Sequence, residues 1–156
     1  MSKRVLVRSI LIVVAATVLT ASLATAAGPL QFYSVTPCRV VDTRNPNGLT
    51  GGPAMAAFQV RHFPMRGRCG IASGAVAVSL NVTVVTPASS GYLTLWPSGS
   101  AQPVVSTINF TPADQALANG AIVPLATVVG SSEVAVFNGS PAATHLILDV
   151  TGYFAP

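Results

Sequence analysis

The chain has 156 residues, 51% of them apolar and only 8% charged, with eight basic against four acidic residues and a formal charge of +4. Lys3, Arg4 and Arg8 stand at the start, and beyond them Arg39, Arg44, Arg61, Arg66 and Arg68 face Asp42, Asp114, Glu133 and Asp149. A body this close to neutral excludes the broad basic face that nucleic-acid binding requires, and its roughly 130 residues suit one domain.

The first element is a leader. The basic residues precede a largely apolar stretch from Ile10 to Leu23, which ends in Ala24-Thr25-Ala26. A positive n-region, an apolar h-region and an A-x-A site are the layout of a secretory signal peptide. The run is short of the ~20 apolar residues a membrane span needs, and it carries Thr17, Thr20 and Ser22. Residues 1–26 are therefore expected to be removed, with cleavage after Ala26 or Ala27. That leaves 27–156 as a single domain with no membrane span, secreted or held at the cell surface.

The rest reads as strand. Extended runs are predicted at "QFYSVT" (31–36), "RVVDT" (39–43) and "AFQVRHF" (57–63). The clearest signal is "AVAVSLNVTVV" (75–85), where Val76, Val78, Leu80, Val82 and Val84 share one face; that period of two marks a half-buried strand. Further runs follow at "GYLTLW" (91–96), "VVSTINF" (104–110), "AIVPLATVV" (121–129), "EVAVFN" (133–138) and "THLILDVTGYF" (144–154). Turn clusters separate them, including Asn47-Gly48, Gly51-Gly52-Pro53, Pro97 to Gly99, Asn119-Gly120 and Asn138 to Pro141. The one helical candidate, "PADQALANG" (112–120), is two turns at most. Eight or nine short strands predict an all-β fold, an antiparallel β-sandwich of jelly-roll or Greek-key type.

Cys38 and Cys69 both lie beyond the leader. In an oxidising compartment an isolated pair reads as one disulfide. Closing a loop of about 30 residues contributes roughly 3–4 kcal/mol in the chain-entropy picture. The alternatives are a metal pair or a catalytic thiol. A metal site wants more ligands at short spacing, and neither cysteine has a histidine near it in sequence.

Several ordered motifs span the chain beyond the leader: "TPCRVVDTRNPNG", "GGPAMA", "GRCGI", "AVAVSLNVTVV", "GYLTLWPSG", "STINF", "NGAIVPL" and "THLILDVTGYF". Together they resemble a recurrent secreted module of bacterial proteins that opens with P-C-R-x-x-D-T-R and closes with D-V-[NT]-G-Y-F. The resemblance implies an all-β unit of exported or surface proteins, a bacterial origin and a Cys38–Cys69 pair. It supplies no catalytic residues.

The opening motif is the densest in chemistry. In a strand through 39–44, Val40, Asp42 and Arg44 share one face, and Arg39, Val41 and Thr43 the other. Asp42 and Arg44 either brace each other or pair with charges from another strand, such as Asp149 in "LILDV". The expected role is a polar clasp of Asp42, Arg44 and Asp149 joining the first and last strands. Asp42, Asn45, Asn47 and Gly48 hold the ingredients of a calcium loop, but Arg44 occupies a ligand position of the EF-hand spacing. No metal and no cofactor are expected.

Catalysis finds little support. His62 and His145 are the two histidines, and no G-x-S-x-G elbow is present. No motif links any two carboxylates for glycoside cleavage. Binding is better served. In "GYLTLWP", Tyr92, Thr94 and Trp96 fall on one face, where an exposed Tyr/Trp strip would stack on sugar rings and a buried one would be a second core wall. "RHFPMRGR" gathers Arg61, Arg66 and Arg68 around Phe63 and Met65. It is either a contact for anionic wall polymer or a solvated loop leading to the disulfide. The sequons at Asn81, Asn109 and Asn138 read as strand faces and a turn. The expected function is a non-catalytic interaction or structural module, its partners surface proteins or cell-wall glycans. The alternatives are a wall-binding module using Tyr92 and Trp96 and, more weakly, a small secreted hydrolase.

Overall fold

A computed structural model describes residues 28–127 and 132–156, and the leader expected at 1–26 lies outside the described residues. Among the described residues, alternating apolar and polar residues become eight strands: β1 (Gln31–Asp42), β2 (Val60–Phe63), β3 (Ala77–Val85), β4 (Gly91–Pro97), β5 (Ile108–Phe110), β6 (Ala116–Pro124), β7 (Val134–Asn138) and β8 (His145–Ala155). Among the described residues no helix is long and apolar enough to cross a membrane. The strands form two antiparallel sheets of four, ordered β1-β8-β3-β6 and β2-β7-β4-β5. That order is the jelly-roll arrangement of the β-sandwich. It sets the first of the described strands, β1, beside the last, β8.

The core lies between the sheets. Val78, Leu80, Val82 and Val84 of β3 point into it, as their period predicts, and Leu146, Leu148 and Val150 of β8 lie alongside. Leu93, Leu95, Val134, Val136, Phe63 and Phe110 close it from the second sheet. Burying each such side chain contributes about 1.5–3 kcal/mol against exposure, which makes this interface the main source of stability. Val76, grouped with the inward face by sequence, lies before β3 begins and is exposed.

Several elements depart from the sequence reading, and the run predicted at 57–63 is strand only over Val60–Phe63. The helical candidate at 112–120 does not form: β6 starts at Ala116 and runs straight through Asn119-Gly120, pairing with β3 from Val85↔Ala116 to Ala77↔Pro124. A nine-residue ladder outweighs the weak local preference of an alanine-containing stretch. The run at 104–110 yields strand only at Ile108–Phe110. The two opening runs merge into one strand, β1, whose pairing with β8 shifts between Ser34 and Cys38 and again between Arg39 and Val41. Those irregularities break strict alternation, so Val40, Val41, Asp42 and Thr43 are all buried.

Cys38 and Cys69 are joined by a disulfide with 5.7 Å between Cα atoms. The bond ties the bulged middle of β1 to the turn between β2 and β3. In that turn the Gly67 N–H donates to the Ile71 carbonyl and the Ile71 N–H to the Arg68 carbonyl. Cys69 sits at φ +51° beside Gly70 at +77°, a left-handed conformation that an L-residue holds only when its surroundings enforce it.

Candidate functional sites at the terminal strands and over strand four

The opening and closing motifs meet. Arg39 on β1 lies opposite Asp149 on β8, and its Nε and Nη2 donate to Asp149 Oδ1 and Oδ2 at 2.8 and 3.3 Å. Its Nη1 also reaches Asp42 Oδ2 at 3.3 Å. Asp42, only 5% exposed, accepts from Arg44 Nε at 2.8 Å, from Arg44 Nη2 at 2.7 Å and from the Arg44 backbone N–H at 3.1 Å. Those Arg44 hydrogen bonds hold the Asp42 carboxyl at about 2, below its usual 3.8, against the opposing pull of burial. Asp42 and Arg44 thus brace each other, while Asp149 is held by Arg39, a residue that the sequence reading left outside the clasp. A shallow cleft of about 470 Å³ opens beside Arg39, Asp149, Asn81 and Thr151.

Other letters of the two motifs have physical reasons. Thr43 Oγ1 accepts the Leu146 N–H at 2.8 Å, and the Thr43 N–H donates to the Leu146 carbonyl at 3.0 Å. A Cβ on Gly152 would overlap the Phe32 ring, which lies across it. Tyr153 stacks on Tyr33 at 5.2 Å between centroids, and Phe154 meets Phe32 at 5.1 Å. In "NPNGLTGG" the Gly52 N–H donates to the Asn45 carbonyl, and a Cβ on Gly52 would stand 2.8 Å from that oxygen. The residues suggestive of a calcium loop are therefore a self-bonded turn whose carboxylate, Asp42, is engaged with two guanidiniums.

The other carboxylates are also engaged. Glu133, buried, accepts the Met65 N–H at 2.6 Å and lies 3.7 Å from Arg66 Nη1. Asp114 accepts the N–H and hydroxyl of Thr111. His62 Nδ1 lies 2.9 Å from Ser98 Oγ and His145 Nδ1 lies 3.2 Å from Thr43 Oγ1. Among the described residues no histidine bonds a carboxylate, so His62 and Ser98 lack the third member that orients a catalytic base.

The arginine run does not gather into one surface. The side chain of Arg66 is 7% exposed and donates to the Ala75 and Ala126 carbonyls. Arg61 donates to the Pro53 and Gly51 carbonyls and lies 4.9 Å over the Phe63 ring, and burial lowers its pKa. Arg68 is exposed. Two of the three thus turn their donors to backbone oxygens, because the loops they hold have carbonyls without strand partners.

Of the two readings of the Tyr92/Trp96 face, an open strip or a buried wall, the burial of Thr94 and Trp96 fits the second. The chain after β4 folds back over the outer face of that strand. Trp96, 6% exposed, donates its indole N–H to the Ser100 carbonyl. Thr94 is fully buried and donates to the Val105 carbonyl, and Thr107 Oγ1 accepts the Leu95 N–H. Tyr92 emerges beyond this cover at 37% exposure. Beside it opens a cleft of about 400 Å³ lined by Gln102, Val104, Val105, Ser106 and Asn109.

Sequence reasoning missed Asn138. Its buried side-chain amide lies within 3.2 Å of the Met55, Ala56 and Ala142 carbonyls, and its Oδ1 accepts the Ser140 N–H. The local sequence carried only a turn signal, "NGS". No protein-family model matches the chain, and no curated protein matches it.

Proposed function

We propose that this chain is an exported, non-catalytic interaction or structural module of the bacterial cell surface or extracellular space. One observation carries the reading: the charged residues of the opening and closing motifs are spent on each other, Arg39 with Asp149 and Asp42 with Arg44. Motifs that engage one another serve a scaffold, and function then falls to the turns and strand faces that the scaffold presents. Export is supported by the leader motif and by a disulfide of the kind that persists in oxidising compartments. The bacterial setting rests on the resemblance noted in the sequence.

Expression with the native leader in a bacterial host, followed by fractionation and N-terminal sequencing, tests the export half. The expected product lies outside the cytoplasm and begins at Ala27 or Gly28. A product that keeps Met1 and stays in the cytoplasm would sink it. The non-catalytic half is tested on ester, peptide and glycoside substrates. Turnover abolished by Ser98→Ala or His62→Ala would make the chain a hydrolase.

A further inference from the structure

We infer that the cleft beside Tyr92 is a binding site for a neutral saccharide. The inference rests on the binding-module reading and deepens it by naming a site and a ligand class. The volume of about 400 Å³ falls within the range of small-ligand pockets. None of its lining residues is charged, so no cation stands there to pair with a phosphate, a carboxylate or an anionic polymer.

What lines the cleft suits a sugar. The Tyr92 ring is held in place: it lies across Gly139, where a Cβ would overlap it, and meets the Phe137 ring edge-on at 6.0 Å and 61°. A pre-set ring loses little entropy when a pyranose face settles on it. Asn109 lies directly opposite Tyr92 across the β4–β5 pair. Its Nδ2 donates to Ser106 Oγ at 3.0 Å, which fixes the amide. Among the described residues no hydrogen bond engages Asn109 Oδ1 or the Gln102 side chain, leaving an acceptor and a full amide for hydroxyls. Val104 and Val105, both exposed, form an apolar rim.

An extended peptide fits less well. Strand addition needs a free edge, but β5 has only three residues, and the Thr107 carbonyl just before it accepts from Asn119 Nδ2 at 2.7 Å.

The test uses the chain expressed with its own leader and purified oxidised, on an array of neutral and anionic glycans. Saturable binding to at least one neutral glycan is expected. Tyr92→Ala, Gln102→Ala and Asn109→Ala should each weaken it about tenfold, the loss of one stacking or hydrogen-bonding contact. Tyr92→Phe should keep it within about threefold, since the ring face remains. Ile122→Thr, on the other sheet, should leave it unchanged. Trp96 emission checks the fold of each variant, and the two amide variants carry the test if Tyr92→Ala does not fold. Binding to no neutral glycan, to anionic glycans alone, or unaffected by all three alanine variants would overturn the inference. The first result would leave the export and activity assays as they stand, so failure of the cleft is distinguishable from failure of the module reading.

Discussion

At the scale of single residues, the side chains with most at stake are polar and buried. Asp42 illustrates how the sign of a pH effect follows from contacts. Its folded value, about 2, lies below the ordinary 3.8, so between these values the unfolded chain binds more protons than the folded one. Stability from this group is complete above about pH 4 and lost as the pH falls toward 2. Asp42→Asn should therefore cost roughly 1–3 kcal/mol at neutral pH, the range for removing one partner of a charged, largely buried contact, and almost nothing at pH 2. Denaturant titrations at the two pH values measure the difference, and equal losses at both would reject the ionic account. Asn138→Ala should cost more, about 2–4 kcal/mol, because several carbonyls lose a donor at once. Gly152→Val should fail for steric reasons, since the Phe32 ring and the Tyr33 carbonyl occupy the space of any side chain there. Phe32→Ala should partly rescue it in thermal melts.

At the scale of elements, the disulfide and the covering loop deserve separate experiments. Cys38–Cys69 closes 31 residues of sequence, and in the chain-entropy picture its loss costs about 3–4 kcal/mol. The double variant Cys38→Ser/Cys69→Ser should fold to the same sheets with a correspondingly lower denaturation midpoint. An unchanged midpoint would mean that the β1–β8 ladder already fixes what the bond fixes. The segment after β4 explains why both faces of that strand are buried: Leu93 and Leu95 face the core while Thr94 and Trp96 lie beneath the loop. Sequence gave the alternation of "GYLTLW" and left open what covers its second face. A covering segment is a long-range contact, and its own sequence, "SAQPVVS", reads locally as turn and strand.

At the scale of the molecule, the jelly-roll order determines which motifs can touch. β1 and β8 are the first and last strands among the described residues and are neighbours, so Arg39 and Asp149, 110 residues apart in sequence, form an ion pair. Most of the pairing is non-local, which makes folding slow relative to helical domains of this size. Cooperative unfolding is expected, with Trp96 emission and far-UV circular dichroism changing together. Acrylamide should quench Trp96 weakly in the native state and strongly once unfolded. Strong native quenching would contradict the covering loop and reopen the two-ring strip.

The sequence by itself determined the all-β class, because a period of two in "AVAVSLNVTVV" and "THLILDV" is a local property that any half-buried strand must display. It also set Asp42 and Arg44 close enough in the chain to brace each other. Only the tertiary structure decided which partner each charged group took. Arg39 replaced Arg44 at Asp149, Arg66 turned inward beside Glu133, and 112–120 became strand. Each of these depends on a strand or loop distant in sequence, whose position is set when two sheets bury a common core. Hydrophobic burial selects that arrangement for the whole chain at once, and no local window contains it.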